Sequence, residues 1–334
     1  MKLTFFLIAF FLILLRVYYS WAGHAHRTDN DGNITVSSDN YREEIHWSGK
    51  VKLSDDEMSI ASISPGGYLK FRENDTKLSA ESNLQGEISY TLFDGQKSLT
   101  LNDSGQRFVA SVLRKMIRFG FCHDGRPERI YKKGGNRALL DELSGNLPMD
   151  NVSAPYIDLL FKGDSLTMDE TMEVMQLIEK TGNEDEKMRL LEKFTTKQLK
   201  DSVIGLAWLS AAGRVGPEHY KRELVDHYMK LDSAGWAFAG ARYDSLLKVI
   251  GQFDGMERSD LYKQLLGHGV GTDEAWISLI RAVGRQNEAF LKSDLLVEIA
   301  GKMPKNEKIK AEFLAAAKSI TDDREYGKVM RAVE

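Results

Sequence analysis

The hydrophobic pattern changes its period about one third of the way along the chain. From about Asn33 to Thr100, apolar residues alternate with polar ones, as Leu69 and Phe71 do with their neighbours. Period-two alternation is typical of strands with one buried face. From about Gly135 onward, apolar residues recur at three and four spacing in segments of helical length. The two periods predict an α+β chain, with the strands first and the helices after them.

Turn residues separate the alternating runs at regular spacing. Pro65 presets φ, and the glycines that follow, Gly66 and Gly67, supply the positive φ of a type II turn. We expect a tight hairpin there and another two-residue turn at Asp94–Gly95. The pattern predicts an antiparallel meander within a β-rich module of residues 33–145, and its apolar face needs a cover.

The segment after the strands supplies that cover. Phe108, Val112 and Met116 recur at helical spacing, and Asp103 or Ser104 can cap the helix. The other face of this helix is basic and carries Arg107, Arg114, Lys115 and Arg118. Acidic residues nearby can pair with these side chains, which favours a solvated helix face over a binding patch.

A loose repeat runs through residues 150–334. Each copy has an aromatic- and alanine-rich helix, a short polar break and a second apolar helix. The second helix opens with a hydroxyl residue and an aspartate, at Ser259–Asp260, Ser293–Asp294 and Thr321–Asp322. The hydroxyl would cap the helix, and the carboxylate would complement its dipole. The preceding helices carry one large aromatic residue each, namely Trp208, Trp236, Trp276 and Phe313. A spacing of about 28 to 40 residues predicts a diverged helical-pair solenoid, with an irregular helical bundle as the alternative.

Lys2 precedes an apolar run, Leu3–Leu15, in which Thr4 is the single polar residue. This run is shorter than the roughly 20 residues of a spanning helix, but extension to Trp21 completes a span with an interfacial aromatic belt. Residues 1–22 are therefore interpreted as a signal anchor. Small residues near Ala22 also fit a cleavage site, so a cleaved signal peptide is the alternative.

Cys122 is the single cysteine, so no intramolecular disulfide can form. A cysteine-poor exported protein of this size suggests a bacterial periplasm. We expect an extracytoplasmic, periplasmic protein anchored to the inner membrane, or a secreted one if the signal is cleaved. The predicted partners are the membrane, through the N-terminal segment, and another protein.

The formal net charge of -4 comes without a basic stripe, so we expect no nucleic-acid partner. The sequence contains no nucleophile elbow, phosphate-binding glycine loop or zinc-binding helix motif. Cys122, His123 and Asp124 are adjacent, but consecutive side chains point in different directions. The acidic turn Ser54–Glu57 lacks the ligand spacing of an EF-hand. The sequence therefore predicts no cofactor, no metal site and no enzymatic activity.

The segment Gly49–Asp56, followed by Ser62–Leu69 with its Ser-Pro-Gly-Gly-Tyr stretch, resembles an extracytoplasmic module of bacterial proteins. That module is attached to membrane-embedded zinc peptidases of the beta-lactam-sensing antirepressor type. Gly134–Leu143 resembles the short helix after the module, and the helical repeats resemble its tail. The His-Glu-x-x-His motif of those peptidases does not occur in this sequence. The resemblance thus implies the outward-facing, ligand- or partner-binding half of a sensor, without peptidase activity.

The leading hypothesis is an exported, membrane-associated, non-enzymatic interaction or sensing module whose ligand the sequence does not specify. The candidate structural or interaction residues are Pro65, Gly66, Gly67, Tyr68, Trp208, Trp236 and Trp276. One alternative is an unrecognised periplasmic hydrolase with a site assembled from distant residues. The other is a structural envelope protein whose β module binds a surface polymer.

Overall fold

A computed structural model describes residues 31–38, 41–145, 152–163, 166–231 and 240–333. These residues contain eight strands and fourteen helices, so the described chain is mostly helical. The antiparallel sheet and the helices confirm the predicted α+β class. The chain divides into two compact units, one of residues up to Arg126 and one of most residues from Pro127 onward.

The first unit contains the strands. They are β1 (Asp31–Ser38), β2 (Tyr41–Ser48), β3 (Val51–Leu53), β4 (Ile60–Ile63), β5 (Tyr68–Glu73), β6 (Thr76–Ser82), β7 (Ile88–Asp94) and β8 (Lys97–Leu99). Six of them form one antiparallel sheet in the order β1-β2-β5-β6-β7-β8. The other two, β3 and β4, pair with each other as a separate hairpin inserted between β2 and β5.

The turn at Pro65 has the expected geometry but does not close a hairpin. Gly66 has a φ of 75°, and the Gly67 amide donates to the Ser64 carbonyl at 2.8 Å, as in a type II turn. The strand before the turn, β4, pairs with β3, whereas β5 pairs with β2 and β6. The predicted tight hairpin is therefore wrong. A turn fixes the local direction of the chain, but it does not choose the partner of the next strand.

Helix α1 (Asp103–Arg118) packs on one face of the sheet. The shared core includes Ile45, Leu69, Phe71, Leu78 and Leu92 of the strands and Val109, Val112, Leu113 and Met116 of the helix. The N-cap is Asn102, not Asp103 or Ser104, because the Asn102 side chain accepts from the Ser104 and Gly105 amides. On the basic face, Lys115 pairs with Glu73 at 2.5 Å.

The helices of the second unit follow in order. They are α2 (Arg126–Ser144), α3 (Ala154–Lys162), α4 (Met168–Glu179), α5 (Glu184–Leu191), α6 (Thr196–Leu199), α7 (Ser202–Gly213), α8 (Glu218–Leu231), α9 (Gly240–Ile250), α10 (Gly255–His268), α11 (Asp273–Gly284), α12 (Ala289–Lys302), α13 (Glu307–Lys318) and α14 (Asp323–Val333). Helix α2 is interrupted at Gly134 and Gly135, where the backbone is not helical.

The boundary between the two units lies near residue 126, whereas the sequence placed the end of the β-rich module at residue 145. The second half of α2 belongs to the helical unit because its side chains bind α4. Arg137 pairs with Glu173 of α4 at 2.9 Å, and Ser144 donates to the same carboxylate at 3.1 Å. Residues 127–145 therefore belong to the helical unit.

Most of the later helices alternate between two rows. The first row contains α4, α7, α9, α11 and α13, and each of these helices packs against the next. The second row contains α5, α8, α10, α12 and α14, with contacts of α5 to α8, α10 to α12 and α12 to α14. Within a row, successive helices start 33 to 38 residues apart. The second half of the chain therefore repeats a pair of helices.

All three predicted hydroxyl caps of the repeat are wrong. Ser259 and Ser293 lie inside α10 and α12, where both are buried. The cap of α10 is Asp254, whose carboxylate accepts from the Glu257 amide at 3.1 Å. At the third repeat, Asp322 rather than Thr321 accepts from the first amides of α14. Helices α10 and α12 start before their Ser-Asp pairs, so both serines lie inside the helices and not at their N-termini.

A basic row links neighbouring helix pairs. The fourth residue of four second-row helices is basic, at Lys187, Lys221, Arg258 and Lys292. Three of these side chains reach the loop after the next first-row helix. Lys221 Nζ donates to Gln252 Oε1 at 2.7 Å, Arg258 lies 3.5 Å from Glu288, and Lys292 Nζ donates to Ser319 Oγ at 2.9 Å. Cations near a helix C-terminus complement its dipole, so this row stabilises the junctions between pairs.

In the described part of the chain, every helix is too short or too polar to cross a membrane. The predicted signal anchor, residues 1–22, lies outside the described residues.

Candidate functional site on the open face of the sheet

The Pro-Gly-Gly-Tyr stretch forms the turn that precedes β5 and the first residue of that strand. A β-carbon on Gly67 would lie 2.4 Å from the Ser48 carbonyl oxygen, so the close approach to β2 requires glycine. Pro65 and Gly66 are exposed at the tip of the turn. Tyr68 begins β5, and Lys70 Nζ lies 4.7 Å from the centre of its ring. The stretch is a turn that leads into the outward-facing residues of β5.

The three tryptophans named from the sequence differ in their surroundings. Trp208 is fully buried, donates from Nε1 to the Leu191 carbonyl at 2.9 Å and stacks on Tyr228. Its indole is therefore part of the core. Trp276 is buried as well and lines an open depression of about 480 Å³ at the loop between α10 and α11. Trp236 lies outside the described residues.

The acidic turn between β3 and β4 is used inside the fold. Asp56 accepts from Ser54 Oγ at 2.6 Å and from the Met58 amide at 3.0 Å. The Glu57 carboxylate accepts from Nε and Nη2 of Arg126, which is only 6% exposed. Among the described residues, no cluster of three or more His, Cys, Asp or Glu side chains could hold a metal ion.

Two other groupings have the residue types of nucleophilic catalysis. Cys122 is half-buried, and its Sγ lies 4.0 Å from the Val51 carbonyl oxygen. Lys292 and Ser319 make a contact of the kind that a serine–lysine pair requires. However, Lys292 belongs to the basic row, and Ser319 Oγ also donates to the Ala316 carbonyl at 2.7 Å. The contact between Lys292 and Ser319 is therefore explained by capping of the C-terminus of α13.

The strongest candidate for a binding surface is the face of the six-stranded sheet that α1 does not cover. The outward side chains of β2, β5, β6 and β7 alternate with core residues such as Ile45, Phe71 and Leu78. They line a groove of about 320 Å³ and include Glu44, His46, Lys70, Arg72, Lys77, Ser79, Thr91 and Phe93. We refer to this surface as the open face.

Strand register sorts the eight open-face residues into two rows that run across the strands. One row contains His46, Lys70, Ser79 and Thr91, and the other contains Glu44, Arg72, Lys77 and Phe93. Because neighbouring strands lie about 4.8 Å apart, each row spans about 14 Å. The open face thus presents cations, hydroxyl groups and one aromatic ring in two parallel lines.

Acidic neighbours neutralise only part of the positive charge. Glu44 pairs with Arg42 at 2.5 Å, and Glu81 pairs with Lys70 at 2.9 Å. Arg72 and Lys77 lie directly opposite each other on β5 and β6, and both are exposed. Within the described residues, neither has an ion-pair partner. Like charges directly opposite destabilise a sheet, so a bound anion at this position would relieve the repulsion.

The core side of the same strands holds a buried acidic residue. Glu43 is 2% exposed and lies opposite Glu73 in the pairing of β2 with β5. Burial, and then a hydrogen bond and negative charge from Glu73, raise the pKa of Glu43 to about 7, while Lys115 opposes the shift. This carboxyl group therefore takes up a proton near neutral pH. The sequence did not point to it, because the pair forms only through strand register.

Comparison of the sequence with protein-family models, with curated proteins and with solved structures finds no significant match. The resemblance to the antirepressor-associated module therefore stays a prediction.

Proposed function

We propose that this chain is an exported, membrane-associated, non-enzymatic protein whose β unit binds an anionic polymer on the open face. The observation that carries the proposal is the opposed Arg72 and Lys77 pair at the centre of an exposed groove. Such a pair destabilises a sheet, and Glu44, which lies opposite Arg72 on β2, pairs with Arg42 instead. An anionic ligand would compensate for the repulsion.

The shape of the open face favours an extended ligand over a single small ion. The groove is shallow and open, and its two rows offer binding groups over about 14 Å. Lys70, Arg72 and Lys77 can pair with charged oxygens, and the hydroxyl groups of Ser79 and Thr91 can donate further hydrogen bonds. Phe93 can contact an uncharged part of the polymer. This arrangement supports the hypothesis that the β module binds an envelope polymer. It also agrees with the interaction hypothesis, which predicts binding of a ligand without its chemical conversion.

The helical unit is proposed to be a helical-pair solenoid that binds a protein partner. The two rows of helices and their repeat of 33 to 38 residues support this architecture. The last described helix, α14, contacts α12 in the same row, and Lys328 of α14 pairs with Asp294 of α12. The proposed location is the periplasm, with residues 1–22 as an anchor or a cleaved signal.

A double substitution on the open face tests the proposed function. In titrations of the full chain with inorganic polyphosphate at low salt, Arg72→Gln combined with Lys77→Gln should weaken binding about tenfold. The two lost charge contacts together amount to about 1.4 kcal/mol. The affinity of the wild-type chain should also fall as salt is added, because exposed charges are screened.

The matched control removes the same number of charges elsewhere on the β unit. Arg107→Gln combined with Arg114→Gln changes two exposed arginines of α1 and should alter the affinity less than twofold. An equal loss of affinity in both double variants would mean that binding depends only on net charge. The open face would then not be the binding site. Failure of the wild-type chain to bind would reject polyanion binding altogether.

A further inference from the structure

Among the described strands, the sheet ends on one side in a long strand that pairs along one edge. Within that set, β1 contains eight residues and pairs only with β2, whereas the strand at the opposite edge, β8, contains three. In the part of the chain that the structure describes, no strand lies on the second side of β1. Its outward backbone amide and carbonyl groups are therefore arranged to receive another strand.

From Asn33 to Ser38, β1 lacks the features that protect exposed edges. Natural edge strands are often short or carry lysine, proline or a bulge. From Asn33 to Ser38 the strand has no charged residue and no proline, and it pairs with β2 without a register shift. Ile34, Thr35 and Val36 are β-branched, which favours strand pairing.

We infer that β1 pairs antiparallel with β1 of a second copy of this chain, around a two-fold axis at Thr35. In a continuous sheet, directly opposite residues point to the same face. This register therefore places Ile34 opposite the partner's Val36 on the core side. Thr35 then lies opposite the partner's Thr35 on the side of the open face.

A second copy fits this edge better than an unrelated strand does, because the edge is complementary to itself. Both core-side residues are aliphatic, and the exposed ones, Asn33 and Thr35, are neutral, so the symmetric pairing of residues 32–38 brings no like charges together. Two-fold contacts use the same surface on both subunits. The resulting sheet would have twelve strands and would carry the two open faces on one side. The inference rests on the edge and is independent of what the open face binds.

Disulfide trapping tests the register directly. In a Cys122→Ser background, Thr35→Cys should give an oxidised dimer of the full chain, because directly opposite Cα atoms lie about 4.5 to 5.5 Å apart. Asn33→Cys should not, because its two copies would lie about 14 Å apart. Equal trapping at both positions, or none at Thr35, would overturn the proposed pairing.

The mass of the full chain in detergent provides the second measurement. The wild-type chain should sediment as a dimer, and Thr35→Lys should shift it to monomer, since two lysines would then face each other across the axis. Ser89→Lys, on β7 and opposite Glu81, adds the same charge away from the edge and should leave the dimer intact. A monomeric wild type, or a Thr35→Lys chain that stays dimeric, would reject the inference.

Discussion

Replacing Trp208 with alanine should destabilise the helical unit by about 4 kcal/mol, the largest single effect that we expect in this chain. The indole is fully buried, stacks on Tyr228 at a centroid distance of 5.4 Å and donates to the Leu191 carbonyl. Alanine would leave a cavity between α5, α7 and α8 and an unpaired carbonyl group. Denaturant unfolding followed by circular dichroism at helical wavelengths measures the loss.

Two further variants of α7 make this result specific. Trp208→Phe keeps a ring beside Tyr228 but removes the donor, so its loss should be clearly smaller than that of Trp208→Ala. Val203→Ala changes a side chain that is 46% exposed on the same helix and should alter stability by less than about 0.5 kcal/mol. A Trp208→Ala chain with the stability of Val203→Ala would show that the indole is not in the core.

Replacing Glu43 with glutamine should remove a pH dependence from the β unit. Burial raises the pKa of Glu43 to about 7 in the folded chain, from an ordinary value of 4.5. The folded state therefore binds the proton more tightly than the unfolded state. This contribution to stability is fully present below about pH 4.5 and is lost as the pH rises through 7. Glu43→Gln keeps the neutral form, so it should exceed the wild type by about 2 to 3 kcal/mol at pH 8 and match it at pH 4.

The neighbouring residue provides the control for this prediction. Glu44 lies next to Glu43 on β2 but points to the open face and pairs with Arg42. Glu44→Gln should therefore keep the wild-type decline in stability between pH 5 and pH 8. Stability is measured by denaturant unfolding at each pH, with a probe in the β unit such as the fluorescence of Trp47. A Glu43→Gln chain that declines with pH as the wild type does would contradict the assigned pKa.

Much of the β unit could be predicted because alternation and turn chemistry are local signals. The alternating residues around Leu69 and Phe71 lie in β5, and those around Tyr90 and Leu92 lie in β7. The turn at Gly95 closes the hairpin of β7 and β8, in which Asp94 pairs with Lys97. The separate pairing of β3 with β4 could not be predicted in this way, because alternation assigns a face to each residue but not a partner to each strand.

The sequence showed the helical repeat, but the predicted starts of its helices were wrong. A serine followed by aspartate is typical of a helix start, and this pattern drew attention to Ser259 and Ser293. Those serines lie one turn inside their helices, where both side chains are buried. The spacing of the basic row, from Lys187 to Lys292, marks the repeat more regularly than the aromatic residues do. Trp208 is the seventh residue of α7, whereas Trp276 is the fourth residue of α11, so the two do not occupy matching positions.

The open face could be predicted only in part. Lys70 and Arg72 stand out in the sequence as the polar partners of Leu69 and Phe71. Their alignment with Lys77 depends on pairing between strands, which no short stretch of sequence specifies. The sequence instead showed its basic cluster on α1, where Lys115 pairs with Glu73. A charge pattern along a helix can be read from spacing, but a pattern across strands needs the register.

The most direct test of the central claim is amine labelling of the full chain with and without inorganic polyphosphate. Lys70 and Lys77 lie on the open face, and Lys52 is an exposed lysine of the same unit on β3. If the open face binds the polymer, labelling of Lys70 and Lys77 should fall strongly when polyphosphate is present, while that of Lys52 stays unchanged. Equal protection of all three lysines, or protection of Lys52 alone, would contradict the account.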